Sequence, residues 1–303
     1  MILPAFNVSK MDFSLNQYTQ LLLNIKSADY SFLTFEKYFK KIPQKLIILR
    51  HDVDKLPENS LQFAKIQRAN NISASYYFRL VPVSFNKEII LEIASLGHEI
   101  GYHYETMDTS KGNVDKAYDE FCRNLDTLRK LVPVNTICMH GSPRSPYDNR
   151  DIWKKYNYRN LGIIGEPYFD IDFRKVAYYT DTGRMWDGNN VSVRDKISGF
   201  NPEGSVNQQS GKGTNHSSER NVLVETWSED NMISVNNRFP VYHSTSQMIE
   251  SIKNNSFPKS AMLTFHPQRW TDNPVLWVKE LIAQGAKNTI KKWFFVKHSS
   301  IIS

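Results

Sequence analysis

Short apolar runs alternate along the chain with longer stretches in which apolar residues recur every three or four positions. The short runs predict strands at 45–51, 73–79, 98–104, 136–140, 160–164, 175–181 and 261–266, with a further one at Trp293 to Lys297. The longer stretches predict helices. One covers Pro57 to Ala69, and Lys87 to Leu96 forms another, stopped by Gly97. Asn113 caps a third, whose stripe is Ala117, Phe121, Leu125, Leu128 and Leu131. Ser244 or Thr245 caps one containing Met248, Ile249 and Ile252, and a last one runs from Pro274 to about Gln284, before Gly285. Such a βαβα rhythm predicts an α/β chain built on a parallel sheet or barrel, and seven strands fit a (β/α) barrel. Residues 1–44 read as a helical extension that packs on the barrel through Leu21, Leu22, Leu23 and Ile25, with the barrel itself spanning 45–303. A polar insert at about 187–237 interrupts the rhythm.

Four of these apolar runs end in Asp or His. Leu46-Ile47-Ile48-Leu49 leads into Arg50-His51-Asp52-Val53-Asp54. Residues two apart on a strand share a face, so Asp52 and Asp54 point together and His51 points away. Two neighbouring carboxylates repel unless a cation lies beside them, and a divalent metal with a spare carboxylate is hydrolytic equipment. The competing reading is a helix-start loop, because Asp is common before a helix and Pro57 suits a first turn. In Gly97-His98-Glu99-Ile100-Gly101-Tyr102-His103-Tyr104-Glu105, alternation places Glu99, Gly101, His103 and Glu105 on one face, with Gly101 leaving room beside His103. Thr136-Ile137-Cys138-Met139 ends in His140, before a Gly- and Pro-bearing loop to Tyr147. Ala261 to Phe265 ends in His266. Catalytic groups collect at the carboxyl ends of parallel strands, so four such endings point to one site.

Composition adds little to this picture but excludes some classes. Apolar residues make up 40% of 303, ample for a core, and no stretch is long and apolar enough to span a bilayer. The first ten residues show no secretory signal, from which a cytoplasmic location is expected. Cys122 and Cys138 read as reduced core thiols. The net charge of +7, with basic residues crowded at Lys37 to Lys45 and Lys287 to Lys297, suits an anionic ligand or a solvated face equally. No nucleic-acid-binding motif accompanies it, so no nucleic-acid partner is expected.

These residues resemble the polysaccharide deacetylases of the NodB-homology type, carbohydrate esterase family four, over roughly residues 45 to 285. The resemblance implies a distorted (β/α)7 barrel, one divalent ion with zinc foremost, and hydrolysis of acetyl groups, mostly N-acetyl, on amino sugars. His51-Asp52-Val53-Asp54 is similar to the first family motif with one residue inserted, which makes Asp52 the base and Asp54 a metal ligand. His51 is the alternative base. His103 matches the first His of the second motif, but Met107 stands where its second His is expected and is a poor zinc ligand. His140 and Glu105 are the available replacements, and His140 carries the better donor for zinc. His140 also stands where the third motif has Arg; beyond it, Arg144 and Tyr147 resemble substrate-binding positions. Asp181 and Trp186 resemble a segment that adds to the pocket, with Trp270 a further stacking candidate, and His266 resembles the general acid. The implied substrate is an acetylated amino sugar, free or linked to a nucleotide or lipid. The competing class is a carbohydrate-binding or regulatory protein on a barrel that has lost catalysis.

Overall fold

The computed structural model describes residues 11–40, 42–142, 145–186 and 239–285. Its centre is a wholly parallel sheet of seven strands. In chain order these are β1 (Ser31–Leu33), β2 (Leu46–Val53), β3 (Ser75–Phe78), β4 (Glu99–Tyr104), β5 (Ile137–Met139), β6 (Ala177–Thr180) and β7 (Ser260–Phe265). The path across the sheet is β5-β4-β3-β2-β7-β6. The connections carry helices at Pro57–Ala69, Lys87–Ser95, Val114–Arg129 and Thr245–Lys253. This is a distorted (β/α)7 barrel, open between β5 and β6.

Every residue of β2 is buried, as a strand covered on both faces must be. Its Leu46–His51 stretch pairs with β7 along one edge. The other edge is shared, with β1 beside Leu46–Ile48 and β3 beside Arg50–Val53. The segment before residue 45 therefore contributes a strand as well as the helix Leu15–Ser27, whose Tyr18, Leu21, Leu22 and Ile25 are buried while Leu23 is exposed. A three-residue strand following a turn offers too little alternation to be read from sequence.

Residues 160–164 do not form the expected strand. A 3-10 turn at Tyr158–Leu161 ends at Gly162, whose φ is +72°, and Pro167 opens a short helix capped by the Glu166 side chain. Between them only one bridge survives, Thr136 to Gly165. The helices start where their caps indicate: Asn113 accepts from Lys116 N, and Ser244 from Gln247 N. Gly97 has φ +88° after the helix Lys87–Ser95, the left-handed position that favours glycine. The expected polar insert and the expected strand at Trp293 to Lys297 lie outside the described residues.

Two histidines are structural. His51 points to the helix side of β2 and is fully buried. Its Nδ1 faces the Ser75 carbonyl at 3.2 Å, which can only accept, so Nδ1 carries the proton. Nε2 then accepts from Tyr18 Oη at 3.1 Å. Burial lowers its pKa to about 3. His98 is held the same way: Ala74 N donates to Nδ1, and Nε2 donates to the Ala64 carbonyl. Burial lowers its pKa from 6.5 to about 4. The unfolded chain takes up these protons first, so the stability that neutral His98 contributes is complete above pH 6.5 and is lost as the pH falls toward 4. His98→Gln retains a donor and an acceptor without titrating. Urea midpoints between pH 6.5 and 4 are expected to depend less on pH in that variant, by up to about 1.4 kcal/mol per pH unit.

Candidate active site and metal centre

All six strands on the sheet path release a charged residue or imidazole immediately after their last position: Asp54, Arg79, Glu105, His140, Asp181 and His266. Parallel pairing puts those six ends on one rim. His103 and Asp52 join them from within β4 and β2.

Asp52 is buried and held by Arg50 from the same face of β2. Arg50 Nε donates to Oδ1 at 2.8 Å and Nη2 donates to Oδ2 at 2.6 Å. Arg50 itself is fully buried, with the Tyr168 ring 5.2 Å away. Burial raises the Asp52 pKa, but the Arg50 guanidinium beside it outweighs this and holds the carboxylate below its ordinary value.

Asp54 faces three imidazoles. Its Oδ1 is 3.6 Å from His103 Nε2 and 3.6 Å from His140 Nε2, and its Oδ2 is 3.9 Å from His266 Nε2. Gln268 donates to Oδ2 at 3.1 Å, whereas Oδ1 is buried with no hydrogen-bond partner among the described residues. Burial works against its charge, yet His103, His266 and His140 together hold the carboxyl well below the usual range. His103 Nδ1 faces the Cys138 carbonyl at 2.9 Å, so it carries a proton, and Nε2 is the nitrogen turned toward Asp54. His103 Nε2 is also 3.8 Å from Asp52 Oδ2.

The two separations from Asp54 Oδ1 fit a cation shared with each imidazole. Zinc–ligand bonds of ~2.0–2.2 Å in a tetrahedron separate neighbouring ligand atoms by about 3.3–3.5 Å. The two 3.6 Å separations are close to that value and too long for hydrogen bonds. An orphaned buried carboxylate oxygen between two imidazole nitrogens is the chemistry of a ligand set. Among the described residues, two groups of three bring all their metal-binding atoms within 4.8 Å of one another, and Asp54 is in neither; both are already engaged. In Asp52, His103 and Cys138, both Asp52 oxygens are already taken by Arg50. In Glu105, Asp108 and His140, Arg79 occupies both Glu105 oxygens, and Asp108 accepts from Ser145 Oγ.

Glu105 therefore sits behind His140 rather than beside Asp54. Its Oε2 is 3.0 Å from His140 Nδ1, a close charge contact off the hydrogen-bond line. Burial opposes its charge, but His140 and Arg79 bring its pKa down to about 2. Met107 is buried and its amide donates to Asn149 Oδ1 at 2.9 Å. Asn149 Nδ2 also donates to the His140 carbonyl at 2.9 Å, which anchors the loop after β5.

His266 is fixed from behind. Its Nδ1 is 2.5 Å from Asp181 Oδ1, and its amide donates to Oδ2 at 2.9 Å. Trp270 Nε1 donates to the same Oδ2 at 2.6 Å, and Arg269 Nη1 lies 3.2 Å from Oδ1. Burial and Arg269 disfavour an imidazolium at His266, but Asp181 and Asp54 prevail and raise its pKa.

The remaining candidates fall elsewhere. Asp181 is fully buried behind His266, so it orients an imidazole and has no face for a sugar. Trp186 is buried among Phe13, Phe265 and Trp270 and donates to Thr245 Oγ1 at 3.0 Å, a core position and not a stacking platform. Trp270 is buried with it. Tyr147 is half-buried against Gly112. Arg144 lies outside the described residues. His51 is turned away from Asp52 and bonded on both nitrogens, which removes it as a base. The space at Gly101 is filled by the Tyr77 ring, 2.3 Å from where a Cβ would sit, and not by anything beside His103. Sequence reasoning gave no role to Arg50 or Arg79; the signal for each was an arginine inside or directly after a strand predicted to be buried.

No protein-family model matches the chain, and no curated protein matches it in sequence. Among solved structures, it is similar to a family 4 carbohydrate esterase from Bacillus anthracis, with TM-score 0.33 and 18% identity over 49% of this chain and 67% of that one. It is also similar to PdaA of Bacillus subtilis, a family 4 carbohydrate esterase, with TM-score 0.36 and 14% identity over 88% of this chain and 84% of that one.

The buried donor of Trp270 is expected to matter for stability apart from ring packing. Trp270→Phe retains most of the apolar contact but removes a charge-assisted hydrogen bond to Asp181, a loss of ~1.5–3 kcal/mol. Chemical denaturation against Phe13→Leu, a packing change in the same cluster, separates the two contributions.

Proposed function

We propose that this protein is a metal-dependent hydrolase that removes an acetyl group, foremost N-acetyl, from an amino sugar. The observation that carries the reading is the orphaned Oδ1 of Asp54, 3.6 Å from two imidazole nitrogens. Asp54, His103 and His140 would hold one divalent ion, and zinc would suit this one-carboxylate, two-imidazole set. Such an ion supplies Lewis acidity toward a carbonyl and lowers the pKa of water toward neutrality.

The chain's own groups then divide the proton work. Asp52 is ionised, close to His103 Nε2, and oriented by two hydrogen bonds from Arg50. It accepts the proton of the attacking water as general base. Its depressed pKa makes it a weak base by itself, so it depends on water already made acidic. His266 approaches Asp54 from the β7 side. With Nδ1 committed to Asp181, Nε2 is the atom that delivers a proton to the leaving nitrogen. Base and acid thus flank the ligand set from β2 and β7. The substrate is an acetylated amino sugar, with a nucleotide- or lipid-linked precursor the form that suits the positive net charge.

Elemental analysis of the purified protein tests the site. About one equivalent of divalent metal is expected in wild type, and its loss is expected in Asp54→Ala, His103→Ala and His140→Ala. Absence of metal after zinc or cobalt is supplied would sink the hydrolase reading and leave a barrel that binds carbohydrate without cutting it. Asp52→Asn is expected to keep the metal and lower acetate release from acetylated amino sugars by at least ~10²-fold. Loss of metal from that variant would overturn the division between ligand and base.

A further inference from the structure

Arg79 and Glu105 are two charged residues, largely buried, that the proton chemistry above does not use. Each is the first residue after its strand, Arg79 after β3 and Glu105 after β4. Their side chains form a two-bonded fork: Arg79 Nε donates to Oε1 at 3.1 Å and Nη2 donates to Oε2 at 2.7 Å. The remaining nitrogen, Nη1, donates to the main-chain carbonyl of Asp54 at 3.0 Å. The same Oε2 of Glu105 faces His140 Nδ1 at 3.0 Å, a buried nitrogen with no other partner among the described residues. One guanidinium therefore ties the backbone of one ligand-bearing residue to the carboxylate behind another.

We propose that Arg79 and Glu105 are positioning residues that act as one clamp, setting the tautomer of His140 and its distance from Asp54 so that a strand-end imidazole serves as third metal ligand. The inference rests on the metal reading above and deepens it. An imidazole that binds a metal through Nε2 must carry its proton on Nδ1, and a carboxylate facing Nδ1 selects that tautomer and raises the basicity of Nε2. A free carboxylate at this place would compete for the ion itself. The Arg79 fork prevents this by engaging both oxygens and leaving only the Oε2 edge to His140. The fork is planar and delocalised, so lysine cannot reproduce it. The clamp also accounts for Met107. No helix side chain is needed as ligand once β5 supplies His140, and position 107 is free to pack in the core, where the structure has it.

Zinc affinity, measured by competition with a chelating dye, tests the clamp on the full chain. Glu105→Ala and Arg79→Met are each expected to weaken zinc binding by ~10–100-fold. The double variant is expected to be no weaker than the worse single, because residues that act as a unit are not additive. Glu105→Gln provides a second variant of nearly unchanged shape, and the thermal midpoint of each metal-free variant checks folding. Nitrogen-detected NMR of the metal-free protein supplies a readout that a merely structural role would not move. His140 is expected to keep a proton on Nδ1 in wild type and to lose it in part, as a tautomer mixture, in Glu105→Ala. Unchanged zinc affinity and unchanged tautomer in folded Glu105→Ala and Glu105→Gln would overturn the clamp while leaving the metal site standing. A wild type that takes up no zinc overturns the metal reading itself, and the tautomer result then still judges the contact between Glu105 and His140.

Discussion

Arg50 and Asp52 lie on one face of a strand that has no exposed residue, and neither charge could remain there without the other. Removing one member of a buried pair leaves an uncompensated ion, which typically costs ~3–5 kcal/mol. The fork between them fixes the rotation of β2 about its axis. With Arg50 and Asp52 inward, His51 must face the helices, where Tyr18 and Ser75 satisfy it. Asp54, one step past the last paired residue, then meets His103, His140 and His266. A one-residue slip would reverse every one of these assignments.

The two halves of the rim are held differently. On the β7 side, His266 is backed by a fully buried carboxylate that itself receives Trp270 and Arg269. On the β4–β5 side, His140 is backed by a carboxylate that belongs to a partly exposed ion pair. Asp54 stands between these supports. The imidazole on the deeper side has its charged form favoured by Asp181, which suits proton donation, whereas His103 on the other side has Nδ1 committed to the Cys138 carbonyl and turns Nε2 toward Asp54.

Much of this was legible in the sequence because parallel strands concentrate their information at one end. Apolar runs that stop in Asp or His marked β2, β4, β5 and β7 and named Asp52, Asp54, His103, His140 and His266 together. What escaped depends on contacts across the sheet. The strand Ser31–Leu33 is too short to show a period, and its pairing exists only because β3 leaves the start of β2 uncovered. Gly101 showed a close approach, but not that the visitor is Tyr77 from the neighbouring strand. Trp186 and Asp181 were assigned to a pocket by resemblance. Their burial follows from Phe13, Trp270 and His266, at distances of roughly eighty residues or more along the chain. The preference for His140 over Glu105 rests on donor type; the occupation of the carboxylate by Arg79 is a contact the sequence does not show.

The sharing of β2 among three neighbours has a consequence for motion. A strand with one free edge can peel away, and groups at its tip then sample many arrangements. β2 has β7 along one edge up to His51 and β1 followed by β3 along the other, so its body can loosen only if several elements separate together. Disorder through Leu46 to His51 therefore belongs to global unfolding, whereas Asp52 and Val53, past the end of β7, are paired with β3 alone and Asp52 is held in addition by Arg50. The precision of the rim is inherited from the whole barrel, and any flexibility needed to admit a substrate must come from the loops beyond the strand ends.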